Sequence, residues 1–505
     1  MATANEPDRA PAGGRPPLST AGGVPVSVVH VTAEYFPFAR TGGLAEAVNG
    51  LAEFQRAAGL DVLVILPLYR TVRDIEPDLE PVGPPFLVSI GDRSEEARVF
   101  RIAGSQPGPR IFFIEHLEYF NRPGIYGDGA VDYADNARRF AFFSLAALTA
   151  LPRLVSGPVL LHAHDWHTAL VPVYLRATPA GDPFSAGATT VLSVHNPGYQ
   201  GHFPAATVPD IGLPWEIYDW RRLEWYGKMN LLKGGLAFAD FVTTVSPTQA
   251  GELRTTGGGF GLHEVFKALG DRLVGILNGI DQRQWDPAAD DQITAPYSAD
   301  ALEGKRRCKA ALQRSFGLPQ RRKTPVFGLT GRLVAQKGLD LILGARALLE
   351  TDSQLVFLGS GDHRYEQALV DLALSAPHRI GVQLDFTDRL EHRLMAGADI
   401  FMMPSLYEPC GLTQMRSQRY GAPPIVRNVG GLRDTVEDGV TGFSFDAYTP
   451  EAFAEAALRA LACFNEPAQW QAIVQRGMAR DFSWERSVAN YLGVYRRALA
   501  RTEAR

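Results

Sequence analysis

VSVVHVTAEYFPFARTGGLAEAVNGLAEFQRAAGLDVLVILP, residues 26–67, decides the fold. Its opening VSVVHVT (26–32) is apolar and β-branched, which predicts a parallel strand buried on both faces. Gly42 and Gly43 then precede a helix that begins near Leu44, carries Leu44, Val48 and Leu51 on one face, and stops at Gly59. VLVILP (62–67) is the next buried strand. Further candidate strands follow at IFFIE (111–115), PVLLHAH (158–164) and TTVLSVH (189–195). Strands alternating with helices predict the α/β class, with a doubly wound sheet of Rossmann type.

The alternation restarts after a break. Residues 286–324 are polar and rich in Asp, Pro and Arg, and read as an excursion between two domains. PVFGLTG (325–331), QLVFLG (354–359), GVQLDF (381–386), ADIFMMP (398–404) and PPIVRN (423–428) then predict a second parallel set. GLDLILGARALLE (338–350) and EAFAEAALRALACF (451–464) are the clearest helices of this half. Ligands of open α/β sheets sit off the carboxyl ends of the strands, so both halves are expected to aim those ends at a shared cleft.

Bulk composition narrows the function. At 505 residues and 46% hydrophobic content the chain has material for two domains. A net charge of -5 gives no nucleic-acid footprint. No apolar run reaches the roughly 20 residues of a membrane span. Cys308, Cys410 and Cys463 are widely spaced and read as free thiols of a reducing compartment, so a cytoplasmic location is expected. The first 25 residues lack the apolar stretch of a signal peptide and are expected to form a disordered tail. Lys accounts for only 7 of the 50 basic residues.

Several strand ends carry polar groups placed for chemistry. Arg40-Thr41-Gly42-Gly43-Leu44 joins the first strand to its helix, where free N–H groups and a guanidinium suit an anion; the plainer alternative is a tight turn with a surface Arg. His162, His164, Asp165 and His167 crowd one strand end. A zinc site would need a further ligand that the sequence does not offer, so a polar strand end with Trp166 as a wall is expected, and no metal. His195 leaves the next strand, either as a satisfied core residue or as a ligand contact. Arg332 ends a strand and Lys337 precedes a helix, and two cations there suit a diphosphate. Glu408 follows ADIFMMPS on a loop before a helix from about Gly411 to Tyr420. It could bind sugar hydroxyls, shield a positive centre, or simply favour the helix dipole. Gly430-Gly431 repeats the glycine-loop logic with backbone N–H groups.

These segments, in this order, resemble one family: the bacterial glycogen synthases and plant starch synthases, glycosyltransferase family 5. The likeness runs from about His30 to Tyr495. Arg40 to Leu44 looks like the family's Lys-x-Gly-Gly-Leu. HAHDWHTAL (162–170), HNPGYQGHFP (195–204), ADFVTTVSP (239–247), GILNGID (275–281), WDP (285–287), GRLVAQKGLDL (331–341) and the long run 399–436 are close to family segments. The resemblance implies a GT-B fold of two Rossmann-like domains. These would be an acceptor-side domain over 26–277, a nucleotide-sugar domain over 278–483, and a last helix, 484–505, crossing back to the first. It implies retaining transfer of glucose from ADP-glucose to an α-1,4-glucan, with no cofactor; oligomeric state is left open.

By the same resemblance Arg332 and Lys337 would hold the diphosphate, and His195 would contact the sugar near its reactive carbon. Asp165 would hold a sugar hydroxyl, while Glu408 with the Cys410 and Gly411 backbone would hold glucose hydroxyls. Arg40, Gly42, Gly43, Leu44, Tyr199, Asn278, Leu412, Gly430 and Gly431 complete the implied substrate-binding set. The sequence departs from the pattern at Arg40 (family Lys), Ala45 (Gly), Glu46 (Asp), Thr413 (Asn) and Val429 (Thr). These changes bear on the nucleotide more than on the reaction. The alternatives are a related glucosyltransferase using UDP-glucose or a small acceptor, or a catalytically silent glucan-binding protein. A phosphorylase is a third, but no Lys lies in a recognisable pyridoxal phosphate motif.

Overall fold

The computed structural model describes residues 18–504 except 77, 105–106, 130 and 178–186. Two compact units result: the chain up to Val242 joined by the stretch from Val488 onward, and Thr243–Ser487. The stretch 243–277 groups with the second unit. There Ser246 Oγ donates to Pro409 O at 2.7 Å, and Thr248 N and Oγ1 donate to the Asp434 carboxylate at 2.9 and 2.7 Å. Among the described residues no helix is long and apolar enough to cross a membrane.

In the first unit five neighbouring strands of the sheet lie in the order Thr189–Val194, Val159–His164, Ser27–Val31, Val62–Pro67, Arg110–Glu115, all parallel. Three of these strands are buried along their whole length, as strands covered on both faces must be. An antiparallel extension, Arg93–Ile102 with Phe86–Ile90 and Leu79–Pro81, continues the far edge and was not expected. Helix Gly43–Ala57 buries Leu44, Val48 and Leu51 as its periodicity demands, and buries Gln55 with them. Residues 1–17 of the expected tail lie outside the described residues. Residues 18–25 do not behave as a tail: Leu18 is buried, Ser19 bridges Pro25, and Ala21 N donates to Glu503 Oε1 at 2.9 Å.

The second unit holds six parallel strands in the order Ile380–Gln383, Gln354–Leu358, Val326–Thr330, Ile400–Met403, Pro424–Arg427, Phe443–Phe445. Hydrophobic clusters cover both faces of this sheet. The helix expected over 338–350 is two pieces, Leu339–Gly344 and Arg346–Leu349, broken at Ala345 with ψ 66°. The supposed excursion 286–324 belongs wholly to this unit and contains helix Glu303–Ser315.

In both sheets the strand order reverses beside the first strand. The reversal lies between Ser27–Val31 and Val159–His164 in one unit, and between Val326–Thr330 and Ile400–Met403 in the other. Two successive crossovers leave the sheet in opposite directions there, which opens a crevice at the carboxyl ends. The loops 32–43 and 165–169 flank the first reversal, and 331–338 and 404–412 flank the second.

Candidate active site

At the first reversal a buried carboxylate organises the glycine loop. Glu34 Oε2 accepts from Thr41 N at 2.7 Å and Gly42 N at 3.3 Å, and its Oε1 accepts from Thr41 Oγ1 and Tyr126 OH, both at 2.7 Å. Two N–H groups expected to meet an anion from outside are therefore already bonded. Those of Gly43 and Leu44, at the helix start, have no partner in their own helix. A Cβ at Gly42 or Gly43 would meet nothing within 4 Å, so glycine here leaves an approach open. Arg40 pairs with Glu46 at 2.7 Å and lies over the Phe36 ring. Two of the five departures from the family pattern, Arg40 and Glu46, are thus partners. Leu44 points into the core, so it supports the loop by packing.

The histidines form a network dictated by strand geometry. His162 and His164 share a face because strand side chains alternate, and the parallel register sets His30 opposite His162. Ligand atoms of these three lie within 4.8 Å of one another. Each of their six ring nitrogens has a hydrogen-bonding neighbour. His30 Nδ1 meets His164 Nε2 at 3.0 Å and its Nε2 meets Gln55 Oε1 at 2.8 Å. His162 meets Tyr495 OH at 2.7 Å and Ser193 Oγ at 2.6 Å, while His164 Nδ1 meets His195 Nε2 at 3.0 Å. Burial pushes His30 down to about 4 and His195 to about 3, and holds His162 and His164 well below the usual imidazole value, so all four are neutral. The cluster of His30, His162 and His164 is hydrogen-bonded throughout and fully buried, and it includes His30, which the sequence reading did not place there.

Asp165 begins the short helix after this strand in a left-handed conformation, φ 55°, which a side chain other than Gly adopts only when its surroundings impose it. What imposes it is a pair of N–H groups: His195 N at 2.6 Å and Asn196 N at 3.3 Å both donate to Asp165 Oδ1. Burial raises its carboxyl to about 7, against the pull of those two N–H groups. Asp165 therefore holds the turn that carries His195. Tyr199, three residues beyond Asn196, is 55% exposed.

At the second reversal two loops interlock. Leu406 N donates to Gln336 O at 2.8 Å and Gln336 Nε2 donates to Tyr407 O at 3.1 Å. Gly338 has φ +72°, and a Cβ there would collide with the Pro404 carbonyl oxygen. This register brings Lys337 Nζ to 2.6 Å from Glu408 Oε2, which also accepts from Ser405 Oγ at 3.1 Å. Arg332 stands exposed at the strand end and forms no ion pair among the described residues. The Lys337–Glu408 pair offers a cation to a phosphate and a carboxylate to polar hydroxyls side by side.

The remaining implied residues support the 408–412 loop. Gly430 and Gly431 pack against it, since a Cβ on either would strike the Glu408 or Cys410 carbonyl. Their N–H groups are engaged: Gly430 N donates to Glu252 Oε1 at 3.0 Å, and Gly431 N to the Glu408 and Pro409 carbonyls at 3.1 Å. The expected anion-binding role of this turn gives way to close packing. Asn278 donates its backbone N–H to the Cys410 sulfur, and burial pushes that thiol up to about 12. Gly411 has φ +70°, and Leu412 packs on the core. Sequence reasoning missed Glu34, Tyr126, Gln55, Ser193, Tyr495 and Ser405. A Glu two residues past a buried strand, and a Gln on the apolar face of a helix, were the signals available.

Comparison with known proteins fits this arrangement. Residues 27–268 match the family model of the starch synthase catalytic domain, and 313–476 match that of group 1 glycosyl transferases. A glycogen synthase of Anaeromyxobacter dehalogenans is 45% identical over 478 residues, 93% of this chain and 99% of that protein. One from Syntrophotalea carbinolica is 43% identical over 481 residues, 94% of this chain and 99% of that protein. Among solved structures, the catalytic domain of starch synthase IV from Arabidopsis thaliana, bound to ADP and acarbose, superposes with a TM-score of 0.86 at 32% identity. It covers 94% of this chain and 100% of that one. A sucrose-phosphate synthase from Thermosynechococcus elongatus shares the fold at TM-score 0.59 and 18% identity, over 94% of this chain and 100% of that one. The fold is GT-B, and the chain belongs to the glycogen synthase and starch synthase family of glycosyltransferases.

Proposed function

We propose that this protein is a glycogen synthase that transfers glucose from ADP-glucose to the non-reducing end of an α-1,4-glucan with retention of configuration. The observation that carries the reading is identity of 45% across 99% of a glycogen synthase. The Arabidopsis structure, solved with ADP and acarbose, supports an adenosine diphosphate leaving group.

In this reading the C1–O bond to the β-phosphate breaks toward an oxocarbenium-like state, and its electron pair leaves with ADP. Arg332 and Lys337 take up the negative charge that grows on the diphosphate. The acceptor 4-hydroxyl attacks C1 from the face that ADP vacates, and its proton passes to the departing phosphate oxygen. Glu408 and the backbone of Cys410 and Gly411 orient the glucose hydroxyls, and His195, steadied by Asp165, contacts the sugar. Positioning and charge neutralisation supply the acceleration. The reading includes no cofactor. The free thiols Cys308, Cys410 and Cys463 suit a reducing cytoplasm.

The test is a side-by-side assay of ADP-glucose and UDP-glucose on glycogen, with chain growth followed by debranching and sizing. ADP-glucose is expected to be the better donor by kcat/KM. A clear preference for UDP-glucose would overturn the donor assignment, and no transfer from either would favour a silent glucan-binding protein.

A further inference from the structure

Behind His195 runs a buried line of hydrogen bonds with a fixed direction. From His195 Nε2 it passes to His164 (3.0 Å), His30 (3.0 Å), Gln55 (2.8 Å), Tyr495 (2.8 Å), His162 (2.7 Å) and Ser193 (2.6 Å). A neutral imidazole can reverse its two bonds by moving a proton between nitrogens, and a hydroxyl can rotate. A carboxamide reverses only if its whole terminal group turns over, because its oxygen only accepts and its nitrogen only donates. Gln55 is the one member of the line with unlike, fixed ends. It lies fully buried on helix Gly43–Ala57, between an imidazole and a phenol that occupy both of those ends.

Gln55 Nε2 donates to the Tyr495 oxygen, so Gln55 Oε1 is the end that faces His30 and must receive the Nε2–H of that ring. A neutral ring carries one proton, so His30 Nδ1 accepts from His164 Nε2–H. By the same rule His164 Nδ1 accepts from His195 Nε2–H. His195 is only half-buried, and its Nδ1 has no hydrogen-bond partner among the described residues. We propose that Gln55 is a positioning residue for the transfer reaction, which through His30 and His164 locks His195 with its proton on Nε2 and presents Nδ1 outward as an acceptor for a sugar hydroxyl. The other branch ends on the same logic: Tyr495 O–H donates to His162, whose Nε2–H donates to Ser193. A substrate hydroxyl thus meets a preset acceptor and needs no tautomer shift on binding. The proposal rests on His195 being a sugar contact.

The test uses the full chain labelled with 15N-histidine. Long-range 1H–15N spectra distinguish a protonated from an unprotonated ring nitrogen, and His195→Ala identifies the signal. In the wild type His195 is expected to show Nε2 protonated and Nδ1 bare. In Gln55→Leu that single pattern is lost and kcat/KM falls about tenfold, the scale of one misdirected hydrogen bond. Ser193→Ala disturbs the far end of the same buried line and is expected to leave the His195 pattern as in the wild type, which a merely structural role would not predict. A wild-type His195 protonated on Nδ1 would overturn the proposal, with or without a folded Gln55→Leu. So would a folded Gln55→Leu protein that keeps both pattern and kcat/KM. Undiminished transfer by His195→Ala would instead sink the sugar contact itself, and the wild-type spectrum tells the two failures apart.

Discussion

Replacing Lys337 by Ala separates two consequences of one ion pair. Lys337 Nζ stands 2.6 Å from Glu408 Oε2, and the two side chains are 25% and 9% exposed. At an effective dielectric of about 20, that separation corresponds to roughly 6 kcal/mol of gross attraction, most of which desolvation offsets. Removing the cation leaves a nearly buried carboxylate with the Ser405 hydroxyl as its remaining partner. The expected loss of stability is about 2 kcal/mol, below the range for a fully buried pair because Lys337 reaches solvent. Catalysis should lose more. Loss of one charge that stabilises the transition state lowers kcat by about a hundredfold, or about 2.7 kcal/mol. Initial rates with ADP-glucose on glycogen give kcat and KM, and urea unfolding gives the stability. Lys337→Ala combined with Glu408→Gln should recover the stability, since no unpaired carboxylate remains, and should leave kcat low. A kcat within about threefold of wild type in Lys337→Ala, or restored in the double variant, would refute the leaving-group role.

Three further outcomes follow from the same geometry. Gly338→Ala combines φ +72° with a clash on the Pro404 carbonyl, so urea unfolding should show a loss of about 3 kcal/mol; a change within experimental error would mean that the 404 loop yields. Asp165 titrates near 7 in the folded protein against 3.8 for an unperturbed Asp, so its contribution is full below about 4 and is lost as pH rises through 7. Asp165→Asn keeps an oxygen for the His195 and Asn196 N–H groups without titrating. Its stability relative to wild type should therefore rise between pH 4 and pH 8, by at most about 4 kcal/mol, and a pH-independent difference would contradict the shift. Cys410, pushed up to about 12 by burial, should stay unmodified when the folded protein meets iodoacetamide at about pH 8, whereas rapid alkylation seen by peptide mass would show an accessible thiolate.

What the sequence could reveal depended on how local the signal was. The 26–67 unit was legible because a buried strand, a Gly-Gly turn and a 3.6-residue stripe lie within one window. The placement of Arg332 and Lys337 was legible because strand Val326–Thr330 and the helix after Gly338 bracket them within one short window. Helix Glu303–Ser315 was missed because its run of Lys and Arg hides the stripe of Cys308 and Leu312. Two of those lysines are held inside: Lys305 Nζ donates to the carbonyls of Ala396, Ala398 and Tyr420, and Lys309 pairs with Asp399 at 2.7 Å. The antiparallel strand Phe86–Ile90 alternates buried and exposed and should have been found by its period of two. Gln55 and Tyr495 meet across 440 residues, and no local pattern announces such a pair. The Glu34 carboxylate changes the reading of the Gly-Gly loop for the same reason, since only the fold shows that it occupies the N–H groups of Thr41 and Gly42.

A crystal structure of the protein with ADP bound would test the charge-neutralisation account most directly. The account predicts diphosphate oxygens within about 3 Å of both the Arg332 guanidinium and Lys337 Nζ, with Lys337 shared between phosphate and Glu408. A diphosphate lying more than about 5 Å from both cations would contradict it.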